Sequence, residues 1–144
     1  MKVHIIYESH FNNGKRCAEY LKNAINKKGH DVILNSIIEV QPYALPKVDM
    51  YIFSTPTHTK GPPKLTKDFL SNLRFKQKGI KYALITTHMN PKIDTLKIME
   101  KILTDKGLIK ISEGLEIKVM TMKGPLEDNF QKKLDEFIRR IFPS

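Results

Sequence analysis

Apolar residues along this chain follow two alternating rhythms. Val3-His4-Ile5-Ile6-Tyr7, Met50-Tyr51-Ile52-Phe53 and Tyr82-Ala83-Leu84-Ile85 are short, near-continuous apolar runs, the pattern of strands buried on both faces of a parallel sheet. Asp31 to Ser36 and the more weakly patterned Ile109 to Met120, around Gly114, bring the predicted strands to five. Between the strands the period lengthens to that of a helix. Cys17, Leu21 and Ile25 form one stripe, Leu65, Phe69 and Leu73 a second, Leu96, Met99 and Leu103 a third, and Phe130, Leu134, Phe137 and Ile141 the last.

The punctuation agrees with this reading. Gly29, Gly79 and Gly107 each close a helix or its following loop just before a strand, where a left-handed residue is favoured. Pro62-Pro63, Pro91 and Pro125 fall near predicted helix starts, where a missing N–H is harmless. Strands alternating with helices imply right-handed crossovers and a single three-layer α/β/α sandwich spanning residues 1–144. Val40 to Lys47, with Pro42 and Pro46, reads as a surface loop.

Composition narrows the picture. With 40% hydrophobic residues the 144-residue chain can build one genuine core. No apolar run approaches the roughly 20 residues of a membrane helix, and the apolar stretch after Met1 is too short for a signal peptide, so a cytoplasmic protein is expected. Cys17 is the one cysteine, which excludes an internal disulfide and a four-cysteine metal site; its helical spacing with Leu21 marks it as a small buried hydrophobe. The formal net charge is +10. The excess is local: Pro56 to Ile93 holds eight basic residues against the single acid Asp68, whereas Leu126 to Phe142 has four of each sign. Such a patch is either solvated surface or a docking face for an acidic partner.

In an open parallel sheet, ligands bind beyond the carboxyl ends of the strands, where strand order reverses. Three loops meet there. The first, Glu8-Ser9-His10-Phe11-Asn12-Asn13-Gly14-Lys15, opens a helix; its small polar side chains and backbone N–H groups suit a phosphate, and ordinary capping by Asn12 or Asn13 is the competing reading. The second, Ser54-Thr55-Pro56-Thr57-His58-Thr59-Lys60-Gly61-Pro62-Pro63, gathers hydroxyls and a histidine. The third, Thr86-Thr87-His88-Met89-Asn90-Pro91, adds a second histidine at a neighbouring strand end.

These residues carry a resemblance to the flavodoxin family. Ile6 to Ala18 resembles the family's phosphate loop and first helix, Phe53-Ser54-Thr55-Pro56-Thr57-His58 its second flavin loop, and Gly124-Pro125-Leu126 the approach to the last helix in short members. The resemblance follows the order of elements along nearly the whole chain and implies a flavodoxin-like five-stranded parallel sheet of order 2-1-3-4-5. It also implies FMN as cofactor. Ser9, Phe11, Asn12, Asn13 and Gly14 would then hold the phosphate with Thr57 assisting, while His58 and the His88-Met89 pair would flank the isoalloxazine ring. His10, Thr55, Pro56, Thr59 and Thr87 complete the expected cofactor-binding set. Three departures stand out: Asn12 replaces the family's Gly, Gly14 its Thr, and His58 the usual stacking aromatic.

The expected function is electron transfer by a bound flavin, with no catalytic residue and no metal, the flavin doing the chemistry and the protein tuning it. Two alternatives are a flavin-free binding module using the basic face for an acidic partner, and an FMN-dependent quinone or flavin reductase. Other chemistries of this architecture are poorly supported. A phospho-acceptor receiver needs an Asp where the third strand ends Phe53-Ser54-Thr55, and a nucleotide-hydrolysing phosphate loop needs an earlier Gly and a Ser or Thr after Lys15. Nucleic-acid binding would interleave aromatics with the lysines, whereas Phe69 and Phe75 fall at helical core positions.

Overall fold

The computed structural model describes residues 1–143. The chain runs β1 (Lys2–Tyr7), α1 (Asn13–Lys27), β2 (Asp31–Ser36), β3 (Met50–Pro56), α2 (Lys64–Ser71), β4 (Lys81–His88), α3 (Thr95–Asp105), β5 (Ile109–Lys110), β6 (Leu115–Lys118) and α4 (Phe130–Ile141). All the strand pairings are parallel, in the order β2-β1-β3-β4-β5, with β6 also on β4.

Alternation along the strands sorts the core into two halves. Val3, Ile5, Met50, Ile52, Ala83 and Ile85 face α1 and α4, where Cys17, Leu21, Leu134 and Phe137 meet them. Ile6, Tyr51, Phe53, Tyr82 and Leu84 face α2 and α3, against Phe69, Leu70, Met99 and Leu103. Side chains of one strand point to opposite faces, so a continuous apolar run serves both layers at once. Gly29, Gly79 and Gly107 have φ of 89°, 74° and 84°, the left-handed turn that returns the chain to the sheet. Among the described residues no helix is long and apolar enough to cross a membrane.

Three expectations need correction. The helical stripe through Leu65 is out of phase: Leu65 is 46% exposed, and Thr66, Phe69, Leu70 and Leu73 are the buried set. Thr66 turns inward because its hydroxyl is bonded to Glu8 and Thr55. The fifth strand is broken. β5 pairs with Lys81 and Tyr82, β6 with Ile85 to His88, and Gly114 lies between them where a Cβ would come within 2.8 Å of Leu96 Cδ1. Pro125 is not at a helix start. It lies in the loop before α4, where Met120 N–H donates to its carbonyl and Val119 bridges to Leu126.

One buried group on β1 makes stability depend on pH. His4 is fully buried, its Nε2 2.8 Å from Asn35 Oδ1 and its Nδ1 without a partner. Burial lowers its pKa from the ordinary value, against a smaller opposing effect of Asn35. The unfolded chain therefore binds a proton that the folded chain refuses, so stability is complete above about pH 6.5 and declines as pH falls below it. We expect urea unfolding of His4→Leu to show a shallower loss between about pH 6.5 and 5 than the parent; equal slopes would show that His4 is not the group responsible.

Candidate functional site

The carboxyl ends of β1, β3 and β4 open onto one cleft of about 250 Å³. Its walls are Glu8, Ser9, His10, Phe11, Asn13 and Gly14 from the first loop, Pro56, Thr57 and His58 from the second, Thr87, His88 and Met89 from the third, and Val119 and Met122 from the segment after β6. Of the residues singled out in the sequence, Asn12, Thr55 and Thr59 do not line it. Asn12 and Thr59 are exposed outside the cleft, and Thr55 is buried against α2. Val119 and Met122 were not anticipated as part of it, and Glu8, though it opens the first loop, was not among the residues singled out.

Local geometry explains the first loop. Asn12 sits at the N-cap of α1 with φ 67° and makes no capping bond through its side chain, so ordinary capping by Asn12 does not occur. This is the left-handed region that Gly adopts freely and Asn tolerates better than most residues, so Asn can stand where Gly is usual. At Gly14 a Cβ would lie 3.2 Å from the carbonyl oxygen of Glu8; the tight turn leaves little room for a side chain there. Asn13 is drawn sideways, its Nδ2 3.5 Å from the carbonyl of Met122. Gly124, at φ 103°, passes so close that a Cβ would be 2.9 Å from Asn13 Oδ1. The segment after β6 is thereby held against the first loop and closes one wall.

Hydrogen bonds give the cleft a defined polarity. Thr66 donates to Glu8 Oε1 at 2.6 Å, and since a hydroxyl has one proton, Thr55 must donate to Thr66 across their 2.9 Å contact. Glu8 Oε2 lies 2.7 Å from His10 Nε2, and the His10 ring lies tilted 5.4 Å from that of His58. Thr57 N–H donates to the carbonyl of Thr87, tying the second loop to the third. His88 is nearly buried with Nε2 3.4 Å from Glu116 Oε2, while its Nδ1 has no partner. Ser9 Oγ is likewise buried and unpartnered, an arrangement that calls for a ligand atom or water.

Burial pushes the Cys17 thiol up to about 12, far from a reactive thiolate, and the described residues contain no cluster of metal-ligating side chains. Phe11, Met89 and Met122 are 43%, 50% and 63% exposed at the mouth of the cleft, an apolar rim beside a polar floor. No Lys or Arg lines the cleft among the described residues, although the chain carries a charge of +10.

No protein-family model matches the chain, and no curated protein matches it in sequence. Solved structures do match it. Oxidised flavodoxin 2 from Bacillus cereus is similar at 21% identity and a TM-score of 0.83, over 98% of this chain and 97% of that one. A flavodoxin from the domain Archaea gives 18% and 0.81, over 98% and 96%, and a WrbA-like flavodoxin from Agrobacterium tumefaciens 16% and 0.71, over 97% and 94%. With the strand order and the two helical layers, these likenesses establish that the chain has the flavodoxin-like fold.

Proposed function

We propose that the protein binds FMN in this cleft and serves as an electron carrier. The observation that carries the reading is the unpartnered, buried Ser9 Oγ at the opening of α1, on the floor of a cleft whose mouth is apolar. Phosphate would be met there by the Ser9 hydroxyl and the first-turn N–H groups of α1, where the helix dipole favours negative charge. Gly14 supplies no hydroxyl, so backbone donors would carry more of the phosphate than side chains. Thr57, whose hydroxyl is 2.8 Å from Thr86 Oγ1, would stand at the same floor. A planar ring would lie between the first loop and His58 on one side and His88 and Met89 on the other, with Phe11 and Met122 covering its edge. When bound, the flavin would supply the one- or two-electron chemistry; the protein's part is to bind, orient and shield it. The comparison proteins named as flavodoxins support this reading.

The exposed lysines suit an acidic redox partner. Lys60 lies on the second loop, two residues from His58 of the cleft, and Lys64 at the start of α2, where among the described residues it is paired only with the exposed Asp68. Such a surface pair contributes little to stability, leaving the local field positive. We expect Lys60→Glu and Lys64→Glu together to slow electron exchange with an acidic electron-transfer protein and to flatten its salt dependence as the Debye length shrinks from ~30 Å at 0.01 M to ~10 Å at 0.1 M. Rates indifferent to salt and to both substitutions would leave the lysines as solubilising surface.

The cofactor assignment has its own test. Protein reconstituted with FMN and freed of excess should show flavin absorbance and quenched flavin fluorescence. Ser9→Ala should weaken binding by about 0.5–1.5 kcal/mol, the net value of one hydrogen bond. Gly14→Val should weaken it more, because the added side chain presses on the Glu8 carbonyl. A colourless parent, or a Gly14→Val variant binding as tightly as the parent, would sink the assignment.

A further inference from the structure

The charges inside the cleft conflict with its proposed ligand. Glu8 is 4% exposed, and its carboxylate is bonded to His10, which with Glu8 lines a cavity that no Lys or Arg lines among the described residues. A phosphate brought to the opening of α1 would meet this buried negative charge with only a helix dipole and neutral donors to offset it. Like charges at close range in a poorly hydrated site repel strongly. The group placed to remove the conflict is His10, whose Nε2 is 2.7 Å from Glu8 Oε2.

Resting on the FMN reading, we propose that Glu8 and His10 form a proton-uptake pair that makes phosphate binding in the cleft proton-linked. With Glu8 ionised, Nε2 of a neutral His10 carries the hydrogen that Glu8 accepts, so a proton taken from solvent adds at Nδ1. The imidazolium then cancels the Glu8 charge and supplies a cation at the phosphate loop. Thr66 and Thr55 hold Glu8 Oε1 in place, so the carboxylate cannot swing away and leave His10 alone.

The other ionisable groups about the cleft are few. His58 lies 5.4 Å from the His10 ring on the second loop and disfavours a second positive charge beside the first. From β4, His88 faces Glu116 of β6 at 3.4 Å. Lys15, on the first turn of α1, lies 4.0 Å from Glu19 and is half exposed. Glu8 is the one acidic residue among those that line the cleft, and His10 its one ionic partner among the described residues.

Calorimetric titration of the full chain with FMN tests this, in phosphate-free buffers of different ionisation heats between about pH 6.5 and 8, above the phosphate's own step near about 6. The parent should take up protons on binding, and its affinity should rise as pH falls, by at most ~tenfold per unit for one linked proton. His10→Asn should abolish the uptake and stay at the parent's weaker, high-pH affinity throughout. Glu8→Gln should do the opposite. Its amide oxygen can still accept from Thr66 and its NH2 can donate to Nε2 of a His10 that carries its hydrogen on Nδ1 instead, so the contacts remain without the charge, and it should bind FMN several-fold more tightly than the parent at pH 8 with little pH dependence. A purely structural Glu8 would weaken binding when replaced.

Riboflavin, which has no phosphate, should bind without proton uptake or not at all. Binding of FMN with no proton uptake by the parent overturns the proposal and leaves the FMN site standing. Uptake that persists in His10→Asn, or that riboflavin also draws, overturns it likewise. Absence of FMN binding by the parent at every pH overturns the cofactor assignment and this proposal together. His10→Asn alters a half-exposed side chain, so it decides the matter even where Glu8→Gln does not fold.

Discussion

Burial of β1 and β3 on both faces is the constraint from which the rest of the architecture follows. Val3 to Ile6 and Met50 to Phe53 are at most 2% exposed, and each strand is hydrogen-bonded to a neighbour on either side. Such strands have no free edge and no wet face. Every polar function must be carried where they end, and crossover helices on both layers crowd those ends into a small space. The cleft is the space left between the β1, β3 and β4 exits, closed by the loop that Asn13 and Gly124 pin together.

Alternation carries past the end of β1 and explains its most unusual residue. Ile6 faces α2 and α3; two positions on, Glu8 still faces that layer although the strand has ended. Its carboxylate is thus delivered to the seam between the apolar core and the cleft, where an unpartnered charge would be costly. Thr55 and Thr66, on the same side of the sheet, supply a hydroxyl chain of one direction into Oε1. That arrangement turns Thr66 inward and explains why Leu65, rather than its neighbour, is left in solvent.

This accounts for what was legible in the chain and what was not. β1, β3 and β4 are legible because a strand buried on two faces must be apolar at nearly every position, and the loops beyond them follow from topology alone. The phase of α2 is not, because a threonine buried by a hydrogen bond looks polar to any hydrophobic periodicity. Ile109 to Met120 reads as one weak strand because the close packing of Leu96 on Gly114 is invisible locally. In the cleft, Ser9, His10, Phe11 and His88 are found from position relative to strand ends. Glu8 could have been found from strand parity, carried two residues beyond Ile6. Val119 and Met122 gave no such signal, since the Asn13 contact that brings their segment in joins residues distant in sequence. Thr55 and Thr59 misled because hydroxyls near a strand end were taken together, although alternation turns Thr55 towards α2.

The distribution of charge follows a division by distance. A lysine within the cleft would lose its hydration beneath a planar ligand, and a buried ammonium is costly unless its partner is always present. On the exposed surface it loses little, and its field reaches about a Debye length into solvent. The lysines of Pro56 to Ile93 accordingly lie outside the cleft, suited to attraction from afar. The cleft itself is left to groups that are neutral or can become so: N–H groups of a helix end, a serine hydroxyl, and imidazoles whose charge depends on what stands beside them. A site of this composition avoids burying fixed cations when it is empty, and under the proton-uptake proposal it would present positive charge only to an anion that enters. The buried carboxylate of Glu8 is compatible with such a site because its neighbour is a histidine; a lysine in its place would have frozen the pair in one charge state.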